Sequence, residues 1–146
     1  MSQGYSVCNE CRILNKFDLS RSGRPICGKC KKPLPIHGAV TEATGGGLSR
    51  LIESSPIPVV TDFWAPWCGP CRAFAPTFES TARQWLGKAV FAKVNTETEP
   101  SVGQTYGIRG IPTLIVFANA KELNRISGAL DASSLNKWLT NLHLTG

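Results

Sequence analysis

The chain has 146 residues and a formal net charge of +6, with 42% hydrophobic and 18% charged residues, ten prolines and six cysteines. Chains of this size bury roughly 65 to 70% of their unfolded surface, so a core forms without disulfide staples, and the near-average composition excludes collagen, wholesale disorder and a disulfide-rich miniprotein. No run approaches the ~18 apolar residues of a membrane helix; the longest candidate, Ile111 to Ala118, is interrupted by Pro112 and Thr113.

Up to His37 the chain carries seven basic residues (Arg12, Lys16, Arg21, Arg24, Lys29, Lys31, Lys32) against Glu10 and Asp18, while the remainder is nearly neutral. This first segment is polar, basic and holds four cysteines, which does not fit a secretory signal. The expectation is a soluble, cytoplasmic protein, and a monomer, because nothing points to an obligate interface. Large apolar residues are too few for a core of its own, and Pro33, Pro35 and Gly38 follow. The domain boundary is therefore expected near His37, giving residues 1–37 and 38–146, with His37 in a turn or linker.

Cys8-x-x-Cys11 and Cys27-x-x-Cys30 are separated by fifteen residues, the spacing of a four-thiolate zinc site. Such a closed tetrahedral shell is structural rather than catalytic, and metal affinity would supply the folding free energy that a core-poor segment lacks. Gly28 is expected to ease the second turn, and Lys29, Lys31 and Arg12 to offset the −2 of a Zn(Cys)₄ centre. Two disulfides or four free thiols are the alternatives.

Beyond Gly45-Gly46-Gly47, read as a break, the chain alternates in type. Leu48, Leu51 and Ile52 have helical spacing. Pro58 to Trp64 is β-rich, and Phe74, Phe78, Ala82 and Trp85 recur at helical intervals up to Gly87. Ala89 to Val94 is a second strand, Pro100 to Tyr106 a short helix, Thr113 to Phe117 a third strand and Leu123 to Ser127 a weaker fourth. Leu135, Trp138, Leu139 and Leu142 close the chain as a helical stripe. The pattern predicts an α/β layered fold with a partly parallel sheet.

Trp64-Ala65-Pro66-Trp67-Cys68-Gly69-Pro70-Cys71 lies where a strand gives way to a helix, the usual place of function in open α/β sheets. A sulfur at the helix N-terminus is stabilised as thiolate by unpaired N–H groups and the helix dipole. Cys68 is thus expected to be the exposed attacking sulfur, and Cys71, one turn in, the shielded resolving one. Asp62 falls inside a run expected to be buried, where a carboxylate is costly unless used or paired. Burial moves its pKa toward neutrality and lets it accept the Cys71 proton. Lys93 on the neighbouring strand is the candidate charge partner.

Asp62-Phe63-Trp64-Ala65-x-Trp67-Cys68-Gly69-Pro70-Cys71, Tyr106-Gly107-Ile108-Arg109-Gly110-Ile111-Pro112-Thr113 and Gly128-Ala129 together resemble the thioredoxin family over residues 38 to 146. With the four-cysteine segment in front, the whole chain is similar to its zinc-binding bacterial branch. The resemblance implies a thioredoxin fold, a central mixed sheet flanked by helices, with a small zinc-ribbon-like module ahead of it. It implies protein-disulfide reduction through Cys68 and Cys71, with Asp62 as buried acid/base group beside Lys93 and Pro112 as a cis-proline. Trp64, Trp67, Gly69, Pro70, Gly110, Ile111, Pro112 and Gly128 would form the docking surface for substrate chains. Electrons would come from NADPH through a flavin-containing thioredoxin reductase, with zinc at Cys8, Cys11, Cys27 and Cys30 in a module that is structural or redox-modulating, and no organic cofactor. Pro66, where many relatives carry an acid, and Asn119, where a glycine is usual, depart from the pattern; Asn119 is expected to take the left-handed turn position.

Two other readings compete. One is an oxidant or isomerase of the bacterial envelope, which Gly69-Pro70 disfavours. The other is a zinc-ribbon binding module or redox-regulated chaperone for nucleic acid or unfolded clients. Nucleic acid is disfavoured because Tyr5 and Phe17 are the only aromatics of the first segment.

Overall fold

In the computed structural model, which describes residues 2–144, the alternation of β-rich and helical runs becomes a six-stranded mixed sheet clothed by helices on both faces. A separate hairpin precedes it, β1 (Gln3–Val7) paired antiparallel with β2 (Leu14–Asp18). The chain then runs through β3 (Ile36–His37), β4 (Val40–Glu42), α1 (Gly45–Ser54), β5 (Val59–Trp64), α2 (Gly69–Gln84) and β6 (Val90–Asn95). It finishes with α3 (Ser101–Thr105), β7 (Thr113–Ala118), β8 (Lys121–Ser127) and α4 (Ala132–Asn141). The sheet order is β3-β4-β6-β5-β7-β8. Strands β4, β6 and β5 are parallel, and β3, β7 and β8 each run antiparallel to a neighbour.

The central strand β5 is buried on both faces, and alternate residues serve different cores. Val60 packs with Phe74, Phe78, Phe91, Leu114, Leu135 and Leu139 on the side of α2 and α4. Val59 and Phe63 pack with Leu48, Leu51, Val94, Val102 and Ile115 on the side of α1 and α3. Side chains as large as Phe78 and Phe91, each 1% exposed, stabilise the fold by roughly 1.5–3 kcal/mol apiece. Pro76 lies inside α2, where it removes one backbone donor from the helix ladder. At the β7–β8 hairpin, Asn119 and Ala120 both take positive φ, +54° and +65°, as a two-residue turn with the twist of its strands requires.

The first segment differs from expectation in how it meets the rest. His37 is not in a linker: it pairs with Val40 across a two-residue hairpin, so β3 already belongs to the large sheet. Nor is Gly45-Gly46-Gly47 a break. Thr44 caps α1, its hydroxyl accepting the Gly47 N–H at 3.0 Å, and the glycines form the first helical turn. Their lack of side chains serves close packing. A Cβ on Gly47 would come within 2.5 Å of Asn9 Oδ1, and one on Gly46 within 2.5 Å of the Arg12 guanidinium. Asn9 in turn donates to the Glu42 carbonyl at 3.1 Å and accepts the Thr44 N–H at 3.3 Å. Val7 enters the core of Leu48 and Leu51, and the buried Ser6 and Thr41 hydroxyls meet at 2.7 Å. The segment thus adds a share of the main core to the small cluster of Cys8, Phe17, Cys27 and Leu34 that it builds itself.

This packing sets a sign that helix propensity alone would reverse. Alanine is the better helix former by about 1 kcal/mol, yet Gly47→Ala displaces Asn9 and is expected to destabilise by about 1 kcal/mol through the lost hydrogen bonds. In an Asn9→Ala background the same substitution is expected to stabilise. Denaturant unfolding of the four proteins of this cycle measures the coupling; additive effects would contradict the docking role of Gly47.

Candidate functional site

Strand β5 runs into α2 through Ala65-Pro66-Trp67, which places Cys68 at the helix N-cap with extended backbone, φ −85° and ψ 111°. Its sulfur accepts the Cys71 N–H at 3.2 Å. The two cysteines are disulfide-bonded, with Cα atoms 5.2 Å apart. When the pair is reduced, the same N–H and the positive end of the helix dipole favour thiolate at Cys68. The Ile111–Pro112 bond is cis, and the Ile111 carbonyl lies 3.8 Å from the Cys68 sulfur.

Cys68 is less open than its role in sequence terms implied. It is 5% exposed against 2% for Cys71, because Ala65, Trp64 and Ile111 pack around both sulfurs. The exposed neighbour is Trp67, at 67%. Together Trp67, Cys68, Gly69, Pro70, Gly110 and Ile111 line an open cleft of about 590 Å³, with Ile108 and Arg109 among the residues of its remaining wall. Trp64, Pro112 and Gly128 do not line it. Pro112 is buried, and Gly128 holds it from behind by donating its N–H to the Pro112 carbonyl at 2.8 Å. Trp64 faces a different space, since alternate residues of β5 point to opposite faces.

That space is a cavity of about 290 Å³ behind the disulfide, lined by Asp62, Trp64, Cys71 and Lys93 among others. Asp62 is 3% exposed and its Oδ1 has no hydrogen-bond partner; Trp64 Nε1 is likewise unpartnered. Burial pushes the Asp62 pKa up to about 7, and the Lys93 charge pulls the other way. Asp62 and Lys93 are register partners on β5 and β6, but they form no ion pair within 4.0 Å: the ion pairs of the described residues are Lys32–Glu10, His37–Glu42 and Arg125–Glu122. The Lys93 ammonium instead stands over the Trp64 ring, 4.5 Å from its centroid, a cation–π contact. Lys93 therefore tempers the Asp62 carboxylate from a distance.

The first segment brings all four of its cysteine sulfurs within 4.8 Å of one another. Cys8 and Cys30 sulfurs are 3.6 Å apart and Cys11 and Cys27 sulfurs 3.5 Å, close to the separation of about 3.8 Å that tetrahedral zinc–sulfur bonds of about 2.3 Å require. The same turn occurs twice. The Arg12 N–H donates to the Cys8 carbonyl at 2.7 Å and the Lys31 N–H to the Cys27 carbonyl at 3.0 Å, and both donors sit at positive φ, +58° and +67°. The left-handed residue is thus the one after each Cys-x-x-Cys, not Gly28, where a Cβ would meet only Asn15 Oδ1 at an ordinary 3.7 Å. Asn15, not singled out by spacing, links the turns by donating to the Cys27 sulfur at 3.5 Å and accepting the Gly28 N–H at 2.9 Å. The Cys30 N–H holds the Cys27 thiol down to about 6, while burial and the Cys27 thiol push Cys11 up to about 11. The donor set fits a soft divalent cation.

The buried carboxyl gives a signed prediction. With its folded pKa near 7 and its ordinary value 3.8, Asp62 binds more protons folded than unfolded between those limits, so its contribution to stability is fully favourable below 3.8 and is lost as pH rises toward 7. Asp62→Asn is expected to raise the stability of the oxidised protein at pH 8 by a few kcal/mol relative to its effect at pH 4. Equal effects at both pH values in urea unfolding would contradict a strained carboxylate.

Comparison with known proteins agrees with the geometry. The thioredoxin family model matches residues 39–141. Thioredoxin C-3 of Corynebacterium nephridii is 38% identical over 135 residues, 91% of either chain, an alignment long enough to reach into the four-cysteine segment. Thioredoxin 1 of Nostoc sp. is 41% identical over 101 residues, covering 69% of this chain and 94% of its own, and thioredoxin 1 of Synechococcus elongatus is 42% identical over 106 residues, covering 73% and 96%. With a bonded Cys68–Cys71 pair at the strand-to-helix junction, the chain belongs to the thioredoxin family and is a thiol–disulfide oxidoreductase of the protein-disulfide reductase kind.

Proposed function

We propose that this chain is a zinc-bearing thioredoxin of the thioredoxin-2 kind, reducing disulfides of protein substrates by dithiol–disulfide exchange. The observation that carries the chemistry is the placement of Cys71 between two environments. Its N–H faces the Cys68 sulfur, and its side chain shares a cavity with the unpartnered Asp62 carboxyl.

The substrate disulfide docks in the cleft beside Trp67, Gly69, Pro70, Gly110 and Ile111. The Cys68 thiolate attacks one substrate sulfur, forming a mixed disulfide and expelling the other as thiolate. The Cys71 thiol gives its proton to the Asp62 carboxylate, and the resulting thiolate displaces the substrate from Cys68, closing the Cys68–Cys71 disulfide. Two electrons pass to the substrate, which leaves as two thiols once its thiolates are protonated. Cys68 is the nucleophile, Cys71 the resolving group and Asp62 the base; Lys93 tunes Asp62, and Trp64, Pro112 and Gly128 shape the site from behind. NADPH, through a flavin-containing thioredoxin reductase, restores the dithiol.

Cys8, Cys11, Cys27 and Cys30 would hold one zinc ion, which supplies structural cross-linking and no reactive position. Asn15 and the two cysteine turns present the sulfurs, and Lys29, Lys31 and Arg12 lie close in sequence to offset the charge of the thiolates. Four adjacent thiolates persist in a reducing compartment, which supports a cytoplasmic location, and a monomer suffices for every step.

Cys68→Ser is expected to abolish insulin-disulfide reduction, and Cys71→Ser to accumulate mixed disulfides visible as adducts on non-reducing gels. Retained turnover in the first, or none of the adducts in the second, would contradict the scheme. Native mass spectrometry is expected to show one zinc per chain, and chelation to expose β1 and β2 to protease while residues 38–146 stay resistant. A metal-free protein with an equally resistant hairpin would rule the zinc assignment out.

A further inference from the structure

The cavity behind the disulfide joins two very different environments. At its inner end stand Asp62 and Cys71, 3% and 2% exposed; at another part of its wall stands His37, whose side chain is 64% exposed. A base that takes the Cys71 proton must release it again, and Asp62 has almost no surface of its own through which to do so. The cavity, at about 290 Å³, is large enough to hold several waters.

The charged groups around this space come from every element packed against it. Lys93 on β6 sits in register between Asp62 on β5 and Glu42 on β4. Helix α2 contributes Arg72 and Glu79, both exposed, to the wall. Gly38, at φ +61°, allows α2 to close on the β3–β4 hairpin: a Cβ there would come within 2.6 Å of Glu79 Oε1 and 3.1 Å of an Arg83 guanidinium nitrogen. His37 Nε2 lies 3.3 Å from Glu42 Oε2, a contact that orients the ring. Lysine and arginine cations accept no proton, and surface carboxylates as a class hold one poorly at neutrality. Imidazole both takes and gives a proton there, and His37 is the one imidazole among the described residues of the cavity wall.

We propose that His37 is the outer proton-exchange group of this site, carrying to solvent the proton that Asp62 takes from Cys71. This assignment rests on the reading of Asp62 as acceptor given above. When the Cys68–Cys71 disulfide closes, the Cys71 proton moves to the Asp62 carboxylate. It then passes through the cavity to neutral His37, leaving Asp62 ionised and His37 as imidazolium, which releases the proton to bulk. No electrons move in this relay, and it runs backward when the disulfide is reduced. The hairpin that bears His37 and Glu42 directly follows the four-cysteine segment, so that segment's docking also positions the relay.

The test is single-turnover reduction of a fluorogenic peptide disulfide at saturating concentration by the full-length reduced protein, with His37→Gln, which preserves a hydrogen bond to Glu42. The Cys71→Ser background reads attack alone, and the Cys71 background reads resolution. The expected result is resolution slowed about tenfold, a flattened pH profile around neutrality and recovery on adding free imidazole, with attack unchanged. Unaltered resolution, or slowing of both steps without imidazole rescue, would overturn the assignment. Failure of the Cys71→Ser protein with His37 intact to form a mixed disulfide would overturn the reductase reading itself and the relay with it.

Discussion

The burial of Asp62 in β5 is the constraint on which the rest of the site depends. Both faces of that strand are covered, so a carboxyl in its middle is stripped of water and shifted to a pKa of about 7. The same strand leads into α2, so one disulfide joins Cys68 at the helix N-terminus to Cys71 on the wall of the cavity that holds Asp62. A helix N-terminus that favours thiolate and a buried carboxyl of raised pKa thus follow from a single strand-to-helix junction. Lys93 avoids a full ion pair by resting on the Trp64 ring. An ammonium bonded directly to Asp62 would return its pKa toward the ordinary range, against the role as a base proposed for it.

The first segment obeys a different economy. It has little apolar surface, and it is held by its sulfur cluster and by Ser6, Val7, Asn9 and Arg12, interleaved with Cys8 and Cys11, against β4 and α1. Glycines at the start of α1 are the receiving surface for that contact. The hairpin leading out of the segment completes the edge of the sheet and closes over the cavity behind Cys71. The segment's own hairpin stays a separate sheet, while the β3–β4 pair that follows it belongs to the sheet that carries the redox site.

Much of this is legible in the amino-acid sequence. Periodicity located α1, β5, α2, β6, β7 and α4 because their buried faces repeat at helix or strand spacing, whereas β8 is exposed along almost its whole length and reads only as a weak strand. Asp62 announced itself as a charge within an apolar run. The two Cys-x-x-Cys pairs likewise come together as their spacing implies. What escaped depends on contacts distant in sequence. Asn15 reaches Cys27 only because β2 lies beside the second turn, and Gly46 and Gly47 read as a break because nothing local shows Asn9 and Arg12 arriving against them. His37 looked like a linker residue because β3 is two residues long and gains strand character from pairing with β4 alone. Gly28 was credited with a backbone freedom that Arg12 and Lys31 exercise instead. Cys68 was expected to be exposed, whereas its neighbours bury it and leave Trp67 as the accessible face.

The most direct test of the central claim, that this junction is built to reduce protein disulfides, is the reduction potential of the Cys68–Cys71 pair, read from its thiol state across glutathione buffers. The account predicts a value near the family reference for thioredoxin, about −270 mV. A value above about −200 mV, in the range of isomerases and oxidants, would contradict it.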